Sequence, residues 1–155
     1  MVNKAYERTN MHRAEADSPS KPERRTLTIL LMIYATASLI HFTHNAEFLA
    51  DYPNLPRSWS AAQVYLAWAG MTLVGVVGWS LLSCGLVLAG LFALVVYAAL
   101  GLDSLGHYVL APVSAHTLAM NATILAEVTA AGCVLLEVAR HLVRRVFVRP
   151  RKRQA

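Results

Sequence analysis

The residues that could carry chemistry begin in one stretch, from Ser38 to Asp51, where polar side chains end a long apolar run. His41, His44 and Glu47 follow one another there at intervals of three residues. Imidazole and carboxylate side chains bind transition metals, and imidazoles exchange protons near neutral pH. Ionisable groups inside an apolar segment are costly and usually functional, so this stretch indicates a polar site.

Two further pairs of the same kind occur later in the chain. Asp103 and His107 are four residues apart, a spacing that a helix would stack on one face. His116 and Glu127 are eleven residues apart, which at about 100° per residue leaves them about 20° from a common helical face. The chain therefore carries three histidine–carboxylate groups.

The composition indicates a membrane protein. Hydrophobic residues make up 56% of the 155 residues and charged residues only 15%, whereas globular chains are about a quarter charged. Apart from Arg57, every Lys and Arg lies at or before Arg25 or at or after Arg140. Basic ends beside apolar helices favour membrane lipids as partners and not nucleic acid. The two cysteines, Cys84 and Cys133, lie in or beside apolar runs and do not indicate a disulfide framework.

Apolar segments long enough to cross a bilayer core of about 30 Å predict an all-α, integral membrane four-helix bundle. The expected helices cover, approximately, residues 26–50, 61–78, 84–102 and 114–139, within a domain of residues 26–146. We expect residues 1–25 to be a disordered cytoplasmic tail and residues 147–155 to be a basic cytoplasmic tail. Ser60 and Gln63 match a capping box at the start of the second helix.

The distribution of charge also predicts the orientation. Basic residues flank the cytoplasmic ends of membrane helices, and four helices return both basic ends of this chain to one side. Both termini are therefore expected in the cytoplasm, in a protein of the bacterial inner membrane. With that orientation, the histidine-containing groups converge near the extracytoplasmic face.

A metal site is the chemistry that this set of residues favours, because histidine and carboxylate ligands suit zinc or iron. The candidate ligands are His41, His44, Asp103, His107 and His116. Glu47 and Glu127 are the candidate catalytic bases. A zinc-bound water would hydrolyse, and an iron centre would oxidise, a lipid-like or small apolar substrate.

Other functions stay open. The same groups suit metal or proton handling and transport, although the second and third helices supply few polar residues for a path through the membrane. Histidines from different helices could hold a haem. A non-catalytic membrane subunit is a further alternative.

Purely structural roles compete for some of these residues. The Glu127 carboxyl could be protonated, or could be the hydrogen-bond partner of Thr36 or Ser38. A stripe of small residues that begins at Gly85 predicts close helix packing, within the bundle or in a homo-oligomer.

Overall fold

The structure, a computed structural model, describes residues 21–56 and 58–147, where every regular element is helical. The α-helices are α1 (Lys21–Glu47), α2 (Ala61–Ser83), α3 (Val87–Leu102), α4 (Gly106–Leu110) and α5 (Leu118–Phe147). Short 3-10 turns cover Leu49–Asp51, Asp103–Leu105 and Val113–Ala115. The two predicted tails lie outside the described residues, apart from 21–25 and 147. The all-α prediction is confirmed.

The described chain contains four helical stretches long and apolar enough to cross a membrane. They are Glu23–Glu47, Ala61–Ser83, Val87–Leu110 and Leu118–Arg145. Both α1 and α3 pack against α2 and against α5, so the four stretches form a ring, as expected of a four-helix bundle. Large apolar side chains such as Leu66, Phe92 and Leu136 point outward. Apolar surface of this extent is compatible with a membrane protein.

The helix boundaries differ in places from those expected from the sequence. The first helix begins at Lys21 and ends at Glu47, because a 3-10 turn already occupies the residues before Tyr52. The second helix continues through Ser83. Gly85 has a φ of +82°, so it belongs to the turn before α3 and takes no part in a helical stripe.

The structure tests two local predictions, the capping box before α2 and the start of the last helix. The capping box is confirmed, because Gln63 N donates to the Ser60 hydroxyl and Ser60 N donates to the Gln63 side chain. The last helix begins at Leu118, four residues later than expected, because Val113–Ala115 forms a 3-10 turn. It then runs without interruption to Phe147.

The two ends of the bundle differ in character. The end where α1 finishes and α2 begins is called the polar end, because the buried residues Ser38, His41 and Glu127 lie in that half. The opposite end is called the basic end, where Arg144 pairs with Glu23 at 2.6 Å. Between the two ends the core is apolar and has no exposed surface at Leu27, Leu91, Leu94, Val134 and Val138.

Tyr34 joins α1 to α3 in the middle of the bundle. Its hydroxyl donates to the Tyr97 carbonyl oxygen at 3.0 Å. The same hydroxyl lies directly against Gly101, where an added Cβ would collide with it. The absence of a side chain at Gly101 therefore permits this buried hydrogen bond.

We expect Gly101→Ala to lower the free energy of unfolding by about 1–3 kcal/mol, as overpacking typically does. The added methyl group would displace the Tyr34 hydroxyl from the Tyr97 carbonyl. Gly70→Ala is the matched control, because a Cβ there meets nothing within 4 Å. Unfolding in detergent micelles measures both variants, and equal losses would contradict the assignment.

Candidate functional site

The site is built around the carboxyl group of Glu127 on α5, which is 0% exposed. The Ser104 hydroxyl donates to Glu127 Oε2 at 2.6 Å. The same oxygen lies 3.7 Å from His41 Nε2, within ion-pair reach but longer than a hydrogen bond. Glu127 Oε1 has no hydrogen-bond partner among the described residues. A buried carboxyl group depends on its few partners, so Ser104 and His41 define its environment.

The orientation of the His41 ring follows from Thr123. His41, on α1, is 1% exposed, and its Nδ1 lies 3.3 Å from Thr123 Oγ1. The Thr123 hydroxyl donates its hydrogen to the Met120 carbonyl at 3.0 Å, so it can only accept from His41. This network assigns the Nδ1 hydrogen to His41. The other nitrogen, Nε2, then carries no hydrogen when the ring is neutral, and it faces Glu127 Oε2 at 3.7 Å.

Two more histidines continue from His41 towards the polar end. The His107 ring lies edge-on to the His41 ring at 5.4 Å, and the His116 ring lies edge-on to His107 at 6.2 Å. Asn45 Nδ2 lies 3.5 Å from His107 Nε2, and His116 Nδ1 donates to the Pro112 carbonyl at 3.1 Å. The structure therefore arranges three histidines from α1, α4 and the segment before α5 in one row.

A second polar route reaches His41 from His44. The Nδ1 atom of His44 is 2.9 Å from the Tyr52 hydroxyl, which also faces the Thr123 side chain. Burial raises the pKa of Tyr52 to about 12, so its hydroxyl stays uncharged at neutral pH. Together, His44, Tyr52, Thr123 and His41 form a chain of polar side chains from the half-buried surface to the core.

A cavity of about 210 Å³ opens beside His41. The polar part of its wall consists of His41, Asn45, Asp103, Ser104 and His107. The apolar part consists of Phe42, Leu55, Trp59, Val64, Ala67 and Leu100. A small cavity with convergent polar groups on one side and apolar walls on the other is typical of a binding site for a small molecule.

Most of the residues predicted to carry the site lie in or next to this cavity. His41, Asp103 and His107 line it, His116 touches His107, and Glu127 touches His41. The proposed base Glu47 lies apart from them: its side chain is exposed and accepts a hydrogen bond from the Tyr65 hydroxyl at 3.0 Å.

The predicted metal ligands do not form a chelating set. In the described ranges, no group of three or more His, Cys, Asp or Glu side chains could hold a metal ion. Nδ1 of His44 faces Tyr52 and Nδ1 of His116 faces a backbone carbonyl. Binding of zinc or iron by these residues stays a prediction.

Sequence reasoning missed the principal partner of Glu127. That partner is Ser104, whereas the sequence suggested Thr36 or Ser38. Thr36 donates to the Met32 carbonyl, and Ser38 donates to the Ala35 carbonyl while it accepts from the Trp68 indole at 3.2 Å. The position of Ser104 next to Asp103 was the only available signal.

Comparisons with protein-family models, with curated proteins and with solved structures found no match to this chain. The four apolar helices support a membrane protein. The buried polar side chains of the polar half are the features of the bundle that bear on a more specific function.

We expect Ser104→Ala to lower the free energy of unfolding by about 1–3 kcal/mol, the usual cost of leaving a buried polar group without its partner. The Glu127 carboxyl would lose its 2.6 Å hydrogen bond. Ser114→Ala, at an exposed serine of the same connecting segment, is the control and should change stability little. Matching unfolding curves for the two variants would show that Ser104 does not hold Glu127.

Proposed function

We propose that this chain is an integral membrane protein whose His41–Glu127 pair exchanges protons with a lipid-like or small apolar substrate. The observation that carries the proposal is the fully buried Glu127 carboxyl, placed 3.7 Å from His41 Nε2. Titratable groups that are buried together beside a cavity are typical of acid–base sites.

The orientation proposed for the bundle places its polar end at the extracytoplasmic face. Arg24, Arg25, Arg140 and Arg144 all lie towards the basic end, and basic residues favour the cytoplasmic side. Both termini would then be cytoplasmic, and a bacterial inner membrane is the membrane we propose. The cavity beside His41 would open towards the outer leaflet.

The acid–base step proposed for the site uses the two groups together. The Nδ1 hydrogen of His41 is donated to the Thr123 hydroxyl oxygen, so Nε2 is the nitrogen that takes up or releases a proton. Glu127 would stabilise the imidazolium formed when His41 accepts a proton, as a carboxylate beside a catalytic histidine does. The pair can thus act as a base and then return the proton as an acid.

In the part of the chain that the structure describes, polar side chains lead to His41 from the polar end. His44 and Tyr52 lead from the polar end to Thr123 and His41. Towards the basic end, the fully buried Leu91, Leu94 and Val134 fill the interior of the bundle. This asymmetry favours a one-sided acid–base site over proton transport through the membrane.

Infrared difference spectra of the reconstituted protein test the proposal. We expect a carboxylate band of Glu127 that shifts with pH, because protonation of His41 changes the charge beside it. Glu127→Gln, which keeps the size of the side chain, should remove that band. Glu47→Gln is the matched control, because Glu47 is exposed and bonded to Tyr65. A spectrum unchanged by Glu127→Gln would refute proton exchange at this pair.

A metal-dependent enzyme is the second candidate, and one observation favours it. His41, His107 and Asp103 line the same cavity, so a metal ion would find suitable donor types there. This candidate predicts stoichiometric zinc or iron in protein purified in detergent, and loss of the metal in His107→Ala. His141→Ala, near the basic end, is the control. Elemental analysis that finds neither metal above the level of the buffer would eliminate this candidate.

A further inference from the structure

We propose that the cavity beside His41 binds the ring of an uncharged, lipid-soluble phenol that enters from the membrane past Trp59. This inference rests on the proposed acid–base site and names the class of its substrate. It is carried by the arrangement of three cavities around one indole, by an unpartnered amide oxygen and by the size of the cavity.

Trp59 stands where three cavities meet. It lines the cavity beside His41, a second cavity of about 310 Å³ and a third of about 710 Å³. The second cavity shares Ala67 with the first and also contains Leu66. The third shares Leu55 with the first and contains the connecting residues between α1 and α2. The half-exposed Trp59 therefore separates the cavity beside His41 from the outer surface of the bundle.

The route past Ala67 leads to the apolar surface of the bundle. Leu66 is 70% exposed on α2, a helix apolar enough to cross a membrane, so in a bilayer it would contact lipid chains. Ala67 leaves room between Trp59 and the first cavity because its side chain is a single methyl group. A molecule with its head beside His41 could leave its tail among the lipids along this route.

The polar wall suits an uncharged head that can donate a hydrogen bond. Asn45 Oδ1 is buried and has no hydrogen-bond partner among the residues that the structure describes. A buried amide oxygen without a donor is costly, and a phenolic hydroxyl in the cavity would supply one. Asp103 lies on the same wall, so a carboxylate or phosphate head would meet a like charge.

The shape and the apolar wall suit a single ring. A cavity of about 150 Å³ is enough for benzene, and the cavity here measures about 210 Å³, which leaves space for ring oxygens. Phe42 and Trp59 provide aromatic side chains on its wall. Aromatic rings pack favourably against such side chains in offset or edge-on arrangements.

Quenching of tryptophan fluorescence by a decyl-substituted bromophenol, with the full chain in lipid nanodiscs, tests the inference. We expect saturable quenching in the wild type and at least tenfold weaker binding in Ala67→Phe, which narrows the entrance. Ala69→Phe, at an exposed site on the same helix, is the matched control and should bind normally. Trp59→Phe should remove most of the quenching, because Trp68 and Trp79 line none of the three cavities.

A ligand with a charged head, or entry by a route other than past Trp59, would give different binding results. Normal binding by Ala67→Phe, or unchanged quenching in Trp59→Phe, would overturn the inference. Displacement of the bromophenol by decanoate or decylammonium, but not by an unbrominated decyl-substituted phenol, would also overturn it, because the cavity would then select a charged head. Ala126→Phe, which fills the apolar groove between α1 and α5, should leave binding unchanged, and loss of binding in that variant would refute entry past Trp59.

The infrared titration separates this inference from the proposed function. A Glu127 band that titrates in a protein without saturable quenching would contradict the substrate class alone. A band that does not titrate, together with saturable quenching, would contradict the acid–base function and leave only binding. Far-UV circular dichroism and the unfolding midpoint confirm that each variant is folded before binding is measured.

Discussion

The carboxyl group of Glu127 imposes the main constraint on this bundle. An apolar interior does not accept an ionisable group without partners, and the available partners come from other helices. Ser104 reaches Glu127 because α3 ends in a 3-10 turn, and His41 reaches it from α1. The position of one carboxyl on α5 is therefore coupled to the rotation of α1 and to the end of α3.

The same constraint gives the bundle its two different halves. The polar half contains buried histidines, hydroxyl groups and a carboxyl group. In the adjoining core, leucine and valine side chains fill the interior. At the basic end, Glu23 and Arg144 join the first and last helices at a partly exposed pair. Such exposed pairs contribute little to stability, so packing of the apolar core has to hold the basic half together. This division of the described residues supports the proposal of a site that opens towards the polar end.

The cavity beside His41 combines properties that are usually separate in soluble proteins. One wall carries imidazole, amide, hydroxyl and carboxylate groups, and the opposite wall is apolar and continues to the outer surface of α2. An amphiphilic molecule satisfies both walls at once. The Nδ1 atoms of His41, His44 and His116 each lie within hydrogen-bonding distance of a protein oxygen, which orients the three rings.

The sequence by itself determined the number of long apolar helices, the basic ends, the capping box at Ser60 and the placement of His41 and Glu127 within apolar segments. These features depend on local hydropathy and on the cost of a charge in an apolar segment, both of which can be read along the chain. The tertiary structure alone decided that Ser104 donates to Glu127 and that Glu47 faces Tyr65 outside the cavity. It also decided that His41, His107 and His116 form a row and that the described residues contain no three-ligand set. Helical periodicity defines the face of a residue on its own helix. It does not define which helix that face meets, at what depth, or where a ring nitrogen points.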